Sequence, residues 1–154
     1  ATAAMSLTMI AAAAMHLTDM PPMPLVLGSM MSADPHRARR LGAILHYIVM
    51  GTVVFGLAYA ALFAAFGSAS VGIGVLIGAI HGVIFLAAMP MIPAMHPRMD
   101  TMATGSALIS EDGTLAVPAP GPFGVRWGAM TPVGIVVGHA VYGLVAALMY
   151  TALI

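Results

Sequence analysis

Histidine supplies the most reactive side chains in this sequence, because the chain contains no cysteine. Each of its four long apolar segments carries one histidine. His81 and His139 lie near the middle of their segments, whereas His16 and His46 lie nearer the ends. Ionisable groups are costly in hydrocarbon and tend to face protein or a polar cavity. The sequence therefore predicts that His81 and His139 point into contacts between helices.

Three kinds of chemistry are open to His81 and His139. The simplest, which we favour, is a neutral imidazole hydrogen-bonded to a backbone carbonyl or to the other histidine. Alternatively, two facing histidines hold a haem iron, or one of them ligates a chlorophyll magnesium. A proton path is a third use of histidine, but all five acidic residues lie between the apolar segments. We therefore name His81 and His139 as candidate cofactor ligands, with haem or chlorophyll as the alternative to plain hydrogen bonding.

Residues 89–99 read MPMIPAMHPRM and combine four methionines with a histidine. Thioether and imidazole groups are ligands that copper(I) prefers, but methionine also commonly fills irregular apolar surface. The methionine spacing is irregular, and the chain has 15 methionines in all. We interpret the stretch as a flexible apolar collar, with a copper site as the alternative. Pro90 and Pro93 are expected to end the helix here, because proline removes a backbone donor.

The sequence lacks the residue sets that typical enzymes use. It has no phosphate-binding loop, no serine–histidine–acid set and no paired carboxylates inside an apolar segment. Lysine is absent, and five arginines balance five acidic residues. We therefore predict a non-enzymatic protein without a nucleic-acid partner.

Composition indicates a membrane protein. Of 154 residues, 61% are hydrophobic and only 6% are charged, against about 25% charged in a typical soluble domain. A bilayer crossing takes about 20 apolar residues. Residues 1–154 are predicted to form one all-α, polytopic domain, a four-helix up-and-down bundle. Its spans are about 1–17, 41–66, 71–92 and 129–154. The first lacks the positively charged start of a signal peptide, so it is interpreted as a true span.

Charge placement predicts the topology. All ten charges lie in the loops 18–40 and 93–128, which share one face of an up-and-down bundle. The positive-inside rule assigns that face to the cytoplasm and both termini to the periplasm of a bacterial inner membrane. Trp127 is interpreted as an interfacial anchor. Five loop residues are expected to contact a partner or lipid headgroups: Arg37, Arg39, Arg40, His96 and Arg98.

Two loop segments carry local signals. Residues 20–32 are apolar but rich in proline, and predict a short helix lying in the membrane interface. Asp112 and Gly113 stand between apolar runs and predict a hairpin turn. Neither loop is large enough for a second domain.

Glycine spacing indicates where helices pack closely. Gly74, Gly78 and Gly82 recur every four residues in the third span, a pattern that lets two helix backbones approach. Gly138 and Gly143 belong to similar pairs in the fourth span. These five glycines are predicted to be helix-packing residues.

Several motifs together resemble a family of small four-helix bacterial inner-membrane proteins of unassigned function. The motifs are GSMMSADPHRARRLGAILH, GAIHG, MIPAMHPRM and TPVGIVVGHAVYG. The resemblance covers most of the chain and implies the topology, but no activity or cofactor. The positions that carry it are His81, Pro93, His96, Pro97, Arg98, Met99, His139 and Gly143.

The functional hypothesis is a non-catalytic accessory subunit of a larger energy-transducing complex, photosynthetic or respiratory. The expected partners are membrane lipids and other integral membrane subunits. Two alternatives stay open. One is a membrane protein that binds haem or chlorophyll through histidine, and the other is a small transporter or copper-handling protein.

Overall fold

The computed structural model describes residues 1–101, 108–109 and 113–154 of the chain, and these residues are mostly helical. In the described residues, five longer helices, three short strands and a 3-10 helix at Pro122–Trp127 are found. The helices are α1 (Thr2–Ala14), α2 (Met23–Ser29), α3 (Pro35–Phe66), α4 (Val71–Met95) and α5 (Thr131–Leu153). The strands are β1 (Met99–Asp100), β2 (Leu108–Ile109) and β3 (Leu115–Pro118).

Helices α3, α4 and α5 are long and apolar enough to cross a membrane. They correspond to the second, third and fourth predicted spans. The first predicted span forms α1, an apolar helix of only 13 residues. At 1.5 Å per residue it extends about 20 Å, short of the roughly 30 Å of a bilayer core.

Helix α3 begins before the predicted span because its first turn is capped. The Asp34 side chain accepts a hydrogen bond of 2.6 Å from the backbone N–H of Arg37, and Pro35 occupies the first turn. Both features favour a helix start. The helix ends at Gly67, whose φ of 63° is the left-handed conformation common at helix C-termini.

The middle of α3, Ile44–Val54, is π-helical. Such a stretch weakens the regular backbone pairing and often lies at functional sites. Side-chain hydroxyls bind two of its carbonyls. Thr52 donates to the carbonyl of Tyr47 at 2.9 Å, and Tyr142 of α5 donates to the carbonyl of Gly51 at 2.7 Å. The second bond fixes α3 against α5.

Helices α4 and α5 pack through glycine, and we call this contact the glycine interface. The pairs are Gly74 with Gly143, Gly78 with the backbone of His139, and Gly82 with Val136. A methyl group added at Gly78 would lie only 2.8 Å from Ala140 Cα. The two backbones are therefore closer than any larger residue permits.

Gly138 lies on a different face of α5 from Gly143. It packs against α1, where its missing side chain leaves room for the side chains of Met5 and Met9. Gly134, one turn earlier, also lies against Met9. Helix α5 thus contacts α4 through its backbone and α1 through methionine side chains.

The connection between α4 and α5 adds a small three-stranded sheet that the all-α prediction omits. The strand order is β1-β3-β2, with β1 parallel to β3 and β2 antiparallel to it. The antiparallel pair agrees with the predicted hairpin, and Ile109 lies opposite Leu115. Asp112, in the predicted turn, lies outside the described residues.

Two predictions at the ends of this connection are wrong. Pro93 does not stop α4, because a tight turn at Met89–Met91 restarts the helix and places Pro93 in its first turn, where no backbone donor is needed. Trp127 does not face lipid. It is fully buried, and its indole N–H donates to the carbonyl of Pro118 at 2.9 Å.

The glycine interface predicts a strong position dependence of alanine substitutions within α4. Gly78→Ala is expected to destabilise the folded protein by about 1–3 kcal/mol, because the new methyl group overlaps backbone that cannot move aside. Gly72 is the matched control, because a methyl group there would have no neighbour within 4 Å. Thermal unfolding in detergent measures both variants. Equal midpoints for Gly78→Ala and Gly72→Ala would contradict the interface.

Candidate functional site: a histidine cavity between the helices

Side chains of all five helices, with the segment before α2, line a cavity of about 380 Å³, which we call the histidine cavity. Small-molecule sites in proteins range from about 300 to 1,000 Å³. Among the described residues, the lining contains three of the six histidines but no acidic residue and no arginine. The histidines are His46, His81 and His139, and the methionines are Met5, Met9, Met20, Met23 and Met50.

The glycine interface brings His81 and His139 into direct contact. Their ring centroids lie 4.6 Å apart with the ring planes at 76°. Phe55 packs on His81 and Phe85 on His139, with centroid distances of 4.4 and 5.4 Å. The two rings are therefore held by aromatic neighbours on either side.

One ring nitrogen of each histidine has a protein partner. His139 Nδ1 lies 2.8 Å from the carbonyl oxygen of Ile135, one turn earlier in α5. His81 Nδ1 lies 3.2 Å from the hydroxyl of Tyr59. His46 Nε2 lies 3.4 Å from the hydroxyl of Ser6. Because a carbonyl only accepts hydrogen bonds, His139 carries its proton on Nδ1 when neutral.

The second ring nitrogen of each histidine has no hydrogen-bond partner among the described residues. These atoms are His46 Nδ1, His81 Nε2 and His139 Nε2. Every fully buried side-chain nitrogen or oxygen in the described part of the chain has a partner, so these three nitrogens keep some accessible surface, and all three residues line the cavity. Three imidazole nitrogens are thus available to a ligand.

His46 is the member of this group that sequence reasoning missed. Its position nearer the end of its apolar segment set it apart from His81 and His139 in the sequence, but only 7% of its surface is exposed and it lines the cavity. His46 lies in the π-helical stretch Ile44–Val54. His16 stays apart, exposed just beyond the end of α1.

The contact between His81 and His139 leaves no room for a porphyrin between their rings. Two axial imidazoles on opposite faces of one iron have centroids about 6 Å apart, since each metal–nitrogen bond is about 2 Å long. The observed separation is 4.6 Å, and the glycine interface holds the helices together. Among the described residues, no group of three or more histidine, aspartate or glutamate side chains is arranged to hold a metal ion.

The alternative copper site at residues 89–99 is not assembled. Met89 is fully buried against Leu86 and Trp127. Met91 and Met95 are 65% and 71% exposed. Their sulfur atoms therefore lie in different surroundings rather than around one centre.

His96 corrects a further prediction, because it is not a surface residue. Only 4% of its surface is exposed. Nε2 lies 2.9 Å from the carbonyl oxygen of Val26, and Nδ1 accepts a hydrogen bond of 3.2 Å from the backbone N–H of Arg98. The Arg98 guanidinium donates to the carbonyl of Ser29 at 2.7 Å. These two side chains attach the connection after α4 to α2. Arg98 is half-buried, and its contact with a partner or lipid headgroups stays a prediction.

Three other arginines stay at the surface. Arg37, Arg39 and Arg40 are exposed on the first turns of α3, while Ala38 between them is buried. They are free to contact lipid headgroups or another subunit, as the sequence predicts, and that contact stays a prediction.

Comparison with known proteins gives no match to this chain among protein-family profiles, curated proteins or solved structures. The resemblance to four-helix inner-membrane proteins therefore stays a prediction. Function has to be argued from the site rather than from the fold.

The hydrogen bonds predict opposite tautomers for two buried histidines. His139 is expected to carry its proton on Nδ1, which donates to a carbonyl, and His96 on Nε2, because its Nδ1 accepts from a backbone N–H. Nitrogen-15 chemical shifts of histidine-labelled protein in detergent distinguish the two forms. Finding the same tautomer at both positions would contradict one of these assignments.

Proposed function

We propose that this protein is a non-catalytic membrane protein that binds a small ligand in the histidine cavity. One observation carries the proposal: His46, His81 and His139 line one largely apolar cavity, and each has a ring nitrogen without a hydrogen-bond partner among the described residues. An apolar pocket with a few converging polar groups is the usual form of a ligand site. Leaving three such groups unpaired in hydrocarbon is costly unless something else binds them.

The chemistry of the lining supports binding rather than catalysis. Imidazole, phenol, hydroxyl and thioether groups line the cavity, and none of its described lining residues is a carboxylate that could act with a histidine as a general acid or base. The hydroxyl of Tyr142, which lines the cavity, already donates a hydrogen bond to the carbonyl of Gly51.

We further propose that the protein acts as an accessory subunit of an energy-transducing complex in a bacterial inner membrane. The long helices expose many apolar side chains outward, including Ile80, Val83 and Ile84 of α4. In a bilayer such faces contact either lipid or neighbouring transmembrane helices. The exposed arginines at the start of α3 would contact the adjacent headgroups or a loop of the neighbour.

Gentle detergent extraction from native membranes tests both parts of this proposal. Native mass spectrometry is expected to show an additional bound mass that is lost on unfolding, together with other membrane subunits. The double variant His81→Ala, His139→Ala should lose the bound mass, since its polar contacts are gone. The exposed residue His36 gives the control variant His36→Ala, which should keep it.

Two results would count against the proposal separately. A chain that carries no additional mass in any native preparation would contradict the ligand site. A stable chain that is always isolated alone would contradict the role as a subunit. An absorption spectrum of the same sample identifies a haem or chlorophyll directly.

A further inference from the structure

We propose that the ligand of the histidine cavity is a soft monovalent metal ion, copper(I), held by His81, His139 and a methionine sulfur of α1. This inference rests on the proposed function, because it names the ligand of the same cavity. It places the metal at the centre of the helices, away from the methionine-rich stretch 89–99.

The charge and the donor groups of the cavity lining indicate which class of metal ion the cavity would bind. Calcium and magnesium require several oxygen ligands, usually including carboxylates. The described residues that line the cavity include no carboxylate, and the chain has no cysteine. The donors of the cavity are neutral imidazoles and thioethers, which suit copper(I). A single positive charge is also the smallest charge to place among apolar side chains.

The hydrogen bond of His139 determines what its free nitrogen binds. With the proton on Nδ1, held by the carbonyl of Ile135 at 2.8 Å, Nε2 carries a lone pair and no hydrogen. That atom binds a metal ion or a hydrogen-bond donor, but not a carbonyl group such as that of a quinone. Metal-bound histidines typically donate their other ring nitrogen to a backbone carbonyl or a carboxylate in this way.

The separation of the two rings fits ligands on adjacent rather than opposite sides of one ion. Imidazoles on opposite sides would have centroids about 6 Å apart, and the distance shortens as the angle at the metal closes. At 4.6 Å, His81 and His139 are within that limit. The hydroxyl of Tyr59 is able to accept a hydrogen bond from His81 Nδ1–H, and in that tautomer Nε2 carries a lone pair and no hydrogen.

Helix α1 supplies the sulfur. Met5 and Met9 both line the cavity, and both pack on Gly138, the residue before His139. The Met9 sulfur lies 3.7 Å from the position that a side chain of Gly138 would occupy. Glycine at 138 therefore leaves space beside His139 for a thioether. Two imidazoles and one thioether form a three-coordinate set.

Titration of the full-length protein in detergent with copper(I), under anaerobic reducing conditions and against a chromophoric chelator, tests the inference. We expect one copper(I) per chain. His139→Ala and the volume-conserving variant Met9→Leu should each weaken binding by about tenfold or more. X-ray absorption of the loaded protein should show both nitrogen and sulfur neighbours.

Matched controls separate this site from general binding to exposed side chains. His36→Ala and Met91→Leu remove an exposed imidazole and an exposed thioether outside the cavity, and both should bind copper(I) as the unmodified chain does. Met9→Leu keeps the apolar volume, so a folding defect of His139→Ala does not decide the result.

Three outcomes would overturn the inference: no competition with the chelator, binding unchanged in His81→Ala and His139→Ala, or a metal with no sulfur neighbour. If copper(I) fails to bind but an organic molecule is retained in a manner that depends on His139, the metal is wrong and the ligand site stands. If neither is bound, both proposals are wrong.

Discussion

The direct backbone contact between α4 and α5 sets the positions of the groups in the middle of this protein. Gly74, Gly78 and Gly82 bring the two helices together at a distance that no larger residue permits. His81 follows Gly78 by less than one turn, and the backbone of His139 lies on Gly78 itself. The contact therefore places two imidazoles side by side at the same depth. A wider helix pair would separate the rings and open the cavity to larger molecules.

Apolar surroundings impose a second constraint, because polar groups there have no water to bind. The chain satisfies most of them with backbone carbonyls. Tyr142 binds the carbonyl of Gly51 in the π-helical stretch, His139 that of Ile135, and Trp127 that of Pro118. The same kind of pairing occurs in the connection after α4, where the His96 side chain bonds to the carbonyl of Val26. His46, His81 and His139 depart from this pattern, because one ring nitrogen of each has no partner in the described part of the chain.

Periodicity and composition are local properties, and they account for what could be predicted from the sequence. The apolar runs indicated the three long helices, and the four-residue glycine spacing indicated which face of α4 packs. Other features depend on contacts between distant residues. No residue near His46 predicts that Ile44–Val54 is π-helical or that His46 lines the cavity. Similarly, the burial of His96 depends on α2, which lies beside it. A histidine followed by proline and arginine is expected to be exposed when that packing is not known.

The two faces of α5 differ in mechanical stiffness. On the side facing α4, the α5 backbone packs directly against the α4 backbone. No side chain lies between them that could change rotamer to accommodate a movement. Toward α1, helix α5 is held at Gly134 and Gly138 by the side chains of Met5 and Met9, which are unbranched and rotate about several bonds. Displacing α1 requires only new methionine rotamers, whereas displacing α4 breaks the glycine interface. The cavity therefore has one rigid wall and one compliant wall, and the compliant wall, formed by α1, is the side on which it opens most easily.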